Sequence, residues 1–237
     1  MRQLIGNAWA WILDYGYVTW IELLSLFVHP SIAKYKTPYR SGGFNKTEIV
    51  LIPGVYEDWR FMKSIADHLH AHGYKIHVLE GLGRNRGAVE TMAALATDYV
   101  RKNIQNDYLL VSHSKGGLVG KYMLIDPNAS NRLKGLIALN APFSGSIYAY
   151  LLPPLPSLRI FKPHSKILNQ LAENTSRNSQ IVSIYGTFDP HIPGGSFLNG
   201  AKNVQLKTKG HFKILDDKVV LKAIIDGIDY LSATASK

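Results

Sequence analysis

Short apolar runs alternate with longer amphipathic stretches over most of this chain. The run EIVLIP at 48–53 predicts a buried strand, and further strands follow at YKIHVLE, DYLLVSH, LKGLIALN, QIVSIYG and NVQLK. Helical patterns lie between and after them, at 59–71, 88–104, 115–125 and 215–231. Strands that alternate with helices predict an α/β fold, in which a mostly parallel sheet carries helices on both of its faces.

Two segments depart from this alternation. From about 142 to 178 the regular pattern lapses over a stretch too long for an ordinary loop, which indicates an insertion that acts as a cap or lid over a site. At the other end, residues 1–29 predict one apolar helix. We therefore divide the chain into an N-terminal helix with its connecting segment, 1–45, and an α/β domain, 46–237.

The N-terminal helix combines a wide apolar arc with a narrow polar stripe. On a helical projection the stripe consists of Gln3, Asn7, Asp14, Ser25 and, at its edge, Glu22. Two interpretations follow: the helix docks on its own domain or a twin subunit, or it lies in a membrane interface, where tryptophan is favoured. The two acidic residues, Asp14 and Glu22, argue against a spanning helix, and Asp14 also argues against a signal peptide.

Composition narrows the classes of partner and of chemistry. The 237 residues include no cysteine, which excludes disulfides, a thiolate nucleophile and cysteine-based zinc sites. The net charge of +10 favours anionic partners, but the basic residues are scattered and no nucleic-acid-binding motif is present. We expect no nucleic acid, a cytoplasmic location, and peripheral membrane association through residues 1–29 as the alternative to docking. The oligomeric state stays open.

The stretch SHSKGG, which follows the strand DYLLVSH, contains the candidate nucleophile. A serine on a tight strand-to-helix turn needs small residues two positions before and two positions after it. Ser114 has Ser112 and Gly116 at those positions, whereas Ser112 would have Leu110 on one side. The pattern therefore favours Ser114, with serine standing where glycine is usual.

A serine nucleophile needs a base, and the base needs an acid that orients it. On this type of sheet the order along the chain is serine, acid, histidine, each just after a strand. Asp189 follows QIVSIYG and His211 follows NVQLK, so both are expected at the carboxyl edge of the sheet. His113 and His191 are the competing histidines: one adjoins Ser114 and the other lies two residues from Asp189, which disfavours both as bases.

Two backbone N–H groups are predicted to form an oxyanion hole. One belongs to Lys115, directly after Ser114 at the start of a helix. The other is expected in LIPGVYEDW, where Val55 is the leading donor and Tyr56 the nearest alternative. A plain turn made by Pro53 and Gly54 is the competing interpretation of that segment.

From residue 48 to about 232 the chain resembles the α/β-hydrolase superfamily, and within it bacterial triacylglycerol lipases and related esterases. The matching pieces are LIPG, SHSKGG, NAPFSGS, GTFDPHIP and KGHF. The resemblance implies an acyl-enzyme on Ser114, with Asp189 and His211 as acid and base and with Val55 and Lys115 as oxyanion donors. It implies no metal or organic cofactor. Lipases of this group often have His-Gly where this chain has Pro53-Gly54.

The apolar residues of the insertion suggest the kind of substrate. We expect an acyl-chain site formed by Phe143, Tyr148, Leu152 and Leu155. The alternative is that these residues complete the core. The leading hypothesis is hydrolysis of a lipid-like or small-molecule ester. Acyl transfer or thioester hydrolysis on the same residues, and a non-catalytic lipid-binding protein on this fold, are the alternatives.

Overall fold

A six-stranded parallel sheet lies at the centre of the structure, a computed structural model that describes residues 2–27, 30–39, 43–45, 47–127, 131–151, 153 and 155–235. The side chains of residues 2–6 and 235 lie outside this description. The strands are β1 (Glu48–Ile52), β2 (Ile76–Val78), β3 (Tyr108–His113), β4 (Leu133–Leu139), β5 (Ile181–Phe188) and β6 (Lys202–Lys209). Their order in the sheet is β2-β1-β3-β4-β5-β6, and every neighbouring pair is parallel.

Helices cover both faces of this sheet, so the predicted architecture is confirmed. In chain order they are α1 (Arg2–Phe27), α2 (Lys63–Ala71), α3 (Val89–Asn103), α4 (Lys115–Ile125), α5 (Pro156–Arg159), α6 (Lys166–Glu173) and α7 (Lys218–Ala235). One hydrophobic core joins α3, α4 and α6 to one face, and a second joins α2 and α7 to the other. Strands β1 and β3 are buried along their whole length because both faces are covered, and this explains their unbroken apolar runs.

Local signals in the sequence account for where several elements begin and end. The Asp58 carboxylate accepts a hydrogen bond of 2.9 Å from the Arg60 N–H and caps a 3₁₀ turn, Trp59–Met62, that leads into α2. Gly73 follows α2 with a φ of 89°, a left-handed conformation that glycine adopts without strain. The helix predicted at 59–71 is thus a 3₁₀ turn followed by an α-helix.

The predicted insertion, 142–178, contains more regular structure than its sequence pattern indicated. It holds α5, α6 and a 3₁₀ helix, Ile147–Tyr150. Ile167, Leu168 and Leu171 of α6 are buried in the core beside α4, whereas Tyr150 and Leu151 are exposed. Part of the insertion therefore completes the core, as the alternative interpretation held, and part forms an outer rim.

Helix α1 packs on its own domain with its polar stripe turned inwards. Asn7 accepts a hydrogen bond from the Lys209 ammonium at 3.1 Å, and Glu22 forms an ion pair with Arg84. Asp14, on the same stripe, is fully buried; the side chain of Gln3 lies outside the described residues. The opposite side of α1 is apolar and exposed, as its largest side chains illustrate: Trp9, Ile12, Leu13, Trp20, Leu23, Leu26 and Phe27.

Within the described ranges, no helix combines the length and apolar character needed to cross a membrane. The orientation of α1 is the reverse of an ordinary surface helix, which turns its apolar side to the core. Polar contacts therefore hold α1 in place, together with the buried Ala10 and with Val18 and Ile21, which pack against the core, while its large exposed apolar residues face away from the protein.

Candidate active site

Ser114 occupies a sharp turn between β3 and α4. Its φ of 50° and ψ of −121° are strained for a residue other than glycine. The turn brings α4 so close to β1 that a Cβ on Gly116 would lie 2.2 Å from the Ile52 carbonyl oxygen. Two positions before the turn, the Ser112 hydroxyl donates a 3.3 Å hydrogen bond to the Ile137 carbonyl. A buried serine is accommodated at this usual glycine position because its hydroxyl has an acceptor.

Asp189 and His211 lie next to each other at the carboxyl edge of the sheet, after β5 and β6. The His211 Nδ1 and the Asp189 Oδ2 are 2.7 Å apart, and both side chains are buried. The other oxygen of Asp189 accepts hydrogen bonds from the N–H groups of His191 at 2.7 Å and Ile192 at 3.0 Å. The carboxylate is therefore fixed by its own loop while it holds the imidazole, which leaves Nε2 as the ring nitrogen available for proton transfer.

The charges of this pair outweigh the effect of burial on each member. Burial alone lowers the pKa of His211, but the charge and hydrogen bond of Asp189 raise the pKa above its ordinary value. Burial alone raises the pKa of Asp189, but the adjacent His211 and the backbone N–H of His191 lower the pKa overall. The environment thus stabilises a negative carboxylate beside a histidine that takes up a proton readily.

Ser114 and His211 both border a cavity of about 670 Å³. Tyr148, Leu151, Leu158 and Phe161 of the insertion form one wall of it, and Trp11 and Tyr15 of α1 border it as well. Most of the cavity surface is apolar. This size and character suit an apolar group of a small-molecule or lipid ligand.

The four residues predicted to bind substrate have different positions. Tyr148 borders the cavity. Phe143 does not border it within the described residues, because its ring is buried in the core beside α3, α4 and α6. Leu155 lies directly before α5 and is exposed. It is not among the described residues that line the cavity. Leu152 lies outside the described residues. Of the three that the structure describes, Tyr148 alone borders the cavity.

The backbone around the two predicted oxyanion donors distinguishes Val55 from its neighbours. The Gly54 N–H donates to the Glu57 carboxylate at 2.8 Å, and the Tyr56 N–H donates to the Arg84 carbonyl at 2.8 Å. Neither Val55 nor Lys115 has an acceptor for its N–H in the part of the chain that the structure describes. Val55 also borders the cavity, so its N–H is the free donor of this loop, rather than the alternative Tyr56.

The Lys115 side chain holds the start of α4 through buried hydrogen bonds. It is fully buried, and its ammonium donates to the carbonyl oxygens of Asn85 at 2.7 Å and Gly87 at 2.5 Å. Burial lowers the pKa of Lys115 to about 8. The segment GLGRNRG, which follows β2, therefore supplies acceptors that hold the start of α4.

His113 and Glu57 form a buried pair beside the site, and the sequence interpretation did not foresee it. The His113 Nδ1 lies 2.7 Å from one Glu57 oxygen and 2.9 Å from the other. Because the same carboxylate accepts the Gly54 N–H, the pair connects the loop after β1 to the end of β3. The adjacency of His113 to Ser114 is visible in the sequence, but nothing in the pattern indicates its partner.

Three further cavity residues were also missed. The ring of His191 lies 5.6 Å from that of Trp11, 5.7 Å from that of Tyr15 and 4.8 Å from that of His211, measured between centroids. Burial and the nearby charge of His211 lower the pKa of His191 to about 4, so His191 is neutral at physiological pH. Trp11 and Tyr15 are nearly 200 positions from His211 in sequence, and no local pattern brings them together.

Solved structures of known proteins share this fold. A Bacillus licheniformis lipase, BlEst2 in its mature form, is 16% identical with a TM-score of 0.64, over 80% of this chain and 96% of the lipase. A membrane phospholipase A, a bacterial virulence factor, is 14% identical with a TM-score of 0.56, over 98% of this chain and 97% of the phospholipase. A pyrethroid hydrolase, PytH, is 18% identical with a TM-score of 0.51, over 77% of this chain and 97% of PytH.

At these identities the similarity establishes the α/β-hydrolase fold, as the sequence predicted. The match to the phospholipase takes in α1, since it covers 98% of this chain. No family model matches the chain, and no curated protein matches it in sequence.

Proposed function

We propose that this chain, which has the α/β-hydrolase fold, is a serine ester hydrolase that cleaves acyl esters. His211 takes the proton of Ser114 as the hydroxyl oxygen attacks the ester carbonyl. The same proton then passes to the leaving alcohol, and an acyl-enzyme remains on Ser114. His211 next removes a proton from water as the water attacks the acyl-enzyme, and it returns this proton to the Ser114 oxygen as the carboxylic acid leaves. Asp189 keeps the imidazole in the tautomer that carries its proton on Nδ1.

One observation carries this proposal: His211, hydrogen-bonded to Asp189, borders the same cavity as Ser114, whose backbone is strained. Backbone strain at a buried serine costs free energy and is typical of functional sites. Similarity to a lipase, a phospholipase and a pyrethroid hydrolase supports the same class of reaction. The three residues come from three separate loops at one edge of the sheet, where open α/β sheets bind their ligands.

The proposed oxyanion hole consists of the Val55 and Lys115 N–H groups. Lys115 directly follows Ser114, and Val55 borders the cavity. Neither N–H has an acceptor among the described residues. Lys115 is the first residue of α4, so the positive end of the helix dipole adds to the stabilisation of a negative oxygen. The buried contacts of Glu57 and Lys115 hold both loops in position before substrate binds.

An apolar acyl group is the substrate part that fits the cavity best. The wall formed by Leu151, Leu158 and Phe161 has no charged group, and about 670 Å³ exceeds what an acetyl group needs. The phospholipase with a similar fold acts on a lipid according to its name, which agrees with this choice. We therefore infer that the substrate is an ester of a medium or long acyl chain.

An activity-based probe tests the proposed nucleophile. A fluorophosphonate should label the purified full-length chain, and Ser114→Ala should abolish both labelling and hydrolysis of p-nitrophenyl esters. Ser112→Ala is the matched control, because it changes the neighbouring serine and should leave labelling in place. Labelling of Ser114→Ala at the wild-type rate would overturn the assignment. Product analysis with a competing alcohol separates hydrolysis from acyl transfer.

We propose further that α1 places the enzyme on an anionic lipid surface. Its outward side is apolar, with Trp9, Ile12 and Trp20 exposed by 58%, 61% and 59%. Three basic residues, Arg60, Lys63 and Lys213, line one groove together with Ile12 and Trp20, and each forms an ion pair with an aspartate: Asp58, Asp67 and Asp216. The attraction to anionic lipid headgroups therefore comes from the net charge of +10, and the apolar side with its tryptophans suits the interface. Trp11 and Tyr15 of the same helix border the cavity, so the helix that carries this surface also borders the site of Ser114.

Vesicle binding tests this surface. A triple variant, Trp9→Ser with Ile12→Ser and Trp20→Ser, should lose co-sedimentation with vesicles that contain phosphatidylglycerol. Leu95→Ser is the control, since Leu95 is also exposed by 46% but lies on α3, away from this surface. Unchanged vesicle binding by the triple variant would contradict the proposal. Sedimentation that instead detects a dimer, lost in the same variant, would assign the surface to a second copy of this chain.

A further inference from the structure

The deepest polar contact of α1 reaches the loop that carries His211. The fully buried Asp14 carboxylate accepts three backbone hydrogen bonds: from the N–H of His211 at 2.9 Å, of Phe212 at 2.7 Å and of Lys213 at 2.8 Å. Hydrogen bonds to a buried carboxylate are stronger than those between neutral groups. Asp14 thus caps the 3₁₀ turn Lys213–Asp216 in the manner of a helix cap, from a helix about 200 residues earlier in the chain.

The remaining contacts fix the other backbone group of the same residue, its carbonyl. The His211 carbonyl accepts hydrogen bonds from the His113 ring at 2.9 Å and the Asn140 amide at 3.2 Å. Asp189 holds the ring. Asp14 is therefore the acceptor for the His211 N–H, and the backbone of this residue is held at both its N–H and its C=O.

The fit around Asp14 leaves little freedom for the loop. Gly210 has a φ of 112°, and a Cβ at this position would lie 2.8 Å from the Asp14 Oδ1. The loop therefore approaches the carboxylate at a distance that a side chain would prevent. Proton transfer requires the imidazole within a few tenths of an ångström of its working position, so a loop shift here affects the base directly.

We propose that Asp14 is a positioning residue for His211, and that α1 thereby forms part of the catalytic unit. This inference rests on the proposed function of His211 as the general base. Asp14 itself does not border the cavity within the described residues, so it acts through the His211 backbone and not on the substrate. The attachment of α1 to the domain and the working position of His211 therefore depend on the same contact.

The charge of Asp14 gives the proposal a second readout. Three carboxylates act on His211: Asp189 after β5, Glu57 after β1 and Asp14 on α1 each raise its pKa. The rings of His113, His191 and Phe212 also pack against its ring. Because the base works as the neutral imidazole, loss of a negative charge should move the acidic limb of the kcat/KM profile to lower pH. A purely structural defect would lower the plateau and leave this limb where it is.

The experiment compares Asp14→Asn with Asn7→Ala in the full-length chain, with p-nitrophenyl butyrate as a soluble substrate. Asn7 lies on the same stripe and contacts Lys209 but not the His211 loop, so Asn7→Ala should keep kcat within about twofold. Asp14→Asn should lower kcat by about tenfold or more with little change in KM, and should shift the acidic limb downwards. Thermal unfolding measures the folded fraction of each variant.

Wild-type kcat and an unmoved acidic limb in folded Asp14→Asn would overturn the proposal. If Asp14→Asn does not fold, Asp14→Glu takes its place: this variant keeps the charge but moves the carboxylate, so it should keep the acidic limb and lose plateau activity. Wild-type plateau activity of Asp14→Glu would overturn the proposal equally. Failure of the proposed function itself has a different signature, namely full activity of Ser114→Ala.

Discussion

The ring of His113 donates a hydrogen bond of 2.9 Å from its Nε2 to the carbonyl oxygen of His211. A carbonyl oxygen accepts only, so this Nε2 carries a proton. The Nδ1 of the same ring faces Glu57, and one further proton lies between that nitrogen and the carboxylate. The residue before Ser114 therefore ties the backbone of the proposed base to the loop of the proposed oxyanion hole.

We predict that Glu57→Gln destabilises this connection. The glutamine amide can still accept from the Gly54 N–H and donate to the neutral Nδ1 of His113, but it replaces hydrogen bonds to a charged carboxylate by weaker ones between neutral groups. The free energy of unfolding should fall by about 2 kcal/mol, measured by urea denaturation. Glu173→Gln is the control, because Glu173 is exposed. Equal stability of both variants would contradict the prediction.

Gly116→Ala should inactivate the protein by preventing the turn at Ser114. Its Cβ would lie 2.2 Å from the Ile52 carbonyl oxygen and 2.9 Å from that of Pro53, and backbone atoms at such distances must move. Ser112→Gly is the companion variant: it removes a hydroxyl with one weak hydrogen bond and restores the usual glycine, so activity should stay within about threefold. Fluorophosphonate labelling compares the two, and full labelling of Gly116→Ala would show that the turn tolerates a side chain.

The pH dependence of hydrolysis should report the pair of His211 and Asp189. The pKa of His211 is raised, and the neutral imidazole is the active form. The acidic limb of kcat/KM should therefore have its midpoint above about 6.5, the value of an unperturbed histidine. In Asp189→Asn this midpoint should move down, and the plateau should fall on the order of a thousandfold. If the midpoint is identical in the wild type and in Asp189→Asn, Asp189 does not act on the group that titrates, which contradicts the prediction.

Narrowing the cavity should change acyl-chain preference. Leu158 borders the cavity, whereas the nearby Leu155 does not among the described residues. Leu158→Trp should lower kcat/KM for p-nitrophenyl decanoate by about tenfold more than for the butyrate, because the added ring takes up space that a long chain needs. Leu155→Trp is the matched control and should leave the ratio of the two rates unchanged. An equal effect of both variants would place the acyl chain elsewhere.

The pattern of apolar and polar residues predicted most of the strands and helices, because packing against the two cores imposes a simple spacing of apolar residues on each element. The helix predicted at Lys115 begins at that residue, and the choice of Ser114 over Ser112 agrees with the backbone conformation at Ser114. The order of Asp189 and His211 along the chain sufficed to predict their proximity, since parallel strands bring their carboxyl ends to one edge. Such inferences need only local spacing and the direction of the chain.

Contacts between distant segments were beyond the same reasoning. A helical projection gives the polar stripe of α1 but not the side that faces the protein, so the attachment through Asp14 was not predicted. Phe143 and Tyr148 are both aromatic and five residues apart, yet one is in the core and the other borders the cavity. No periodicity distinguishes them, because the segment between them is a turn and a short 3₁₀ helix.

The inward polar side of α1 has a practical consequence for anyone who handles this protein. An apolar N-terminal helix is often removed to make an enzyme easier to purify. Here, removal of α1 would leave the N–H groups of residues 211–213 without their acceptor, the Asp14 carboxylate. A better-behaved version should keep the helix and recode its outer residues, such as Trp20 and Phe27, as hydrophilic ones. The two sides of one helix can then be engineered independently, one for solubility and one for turnover.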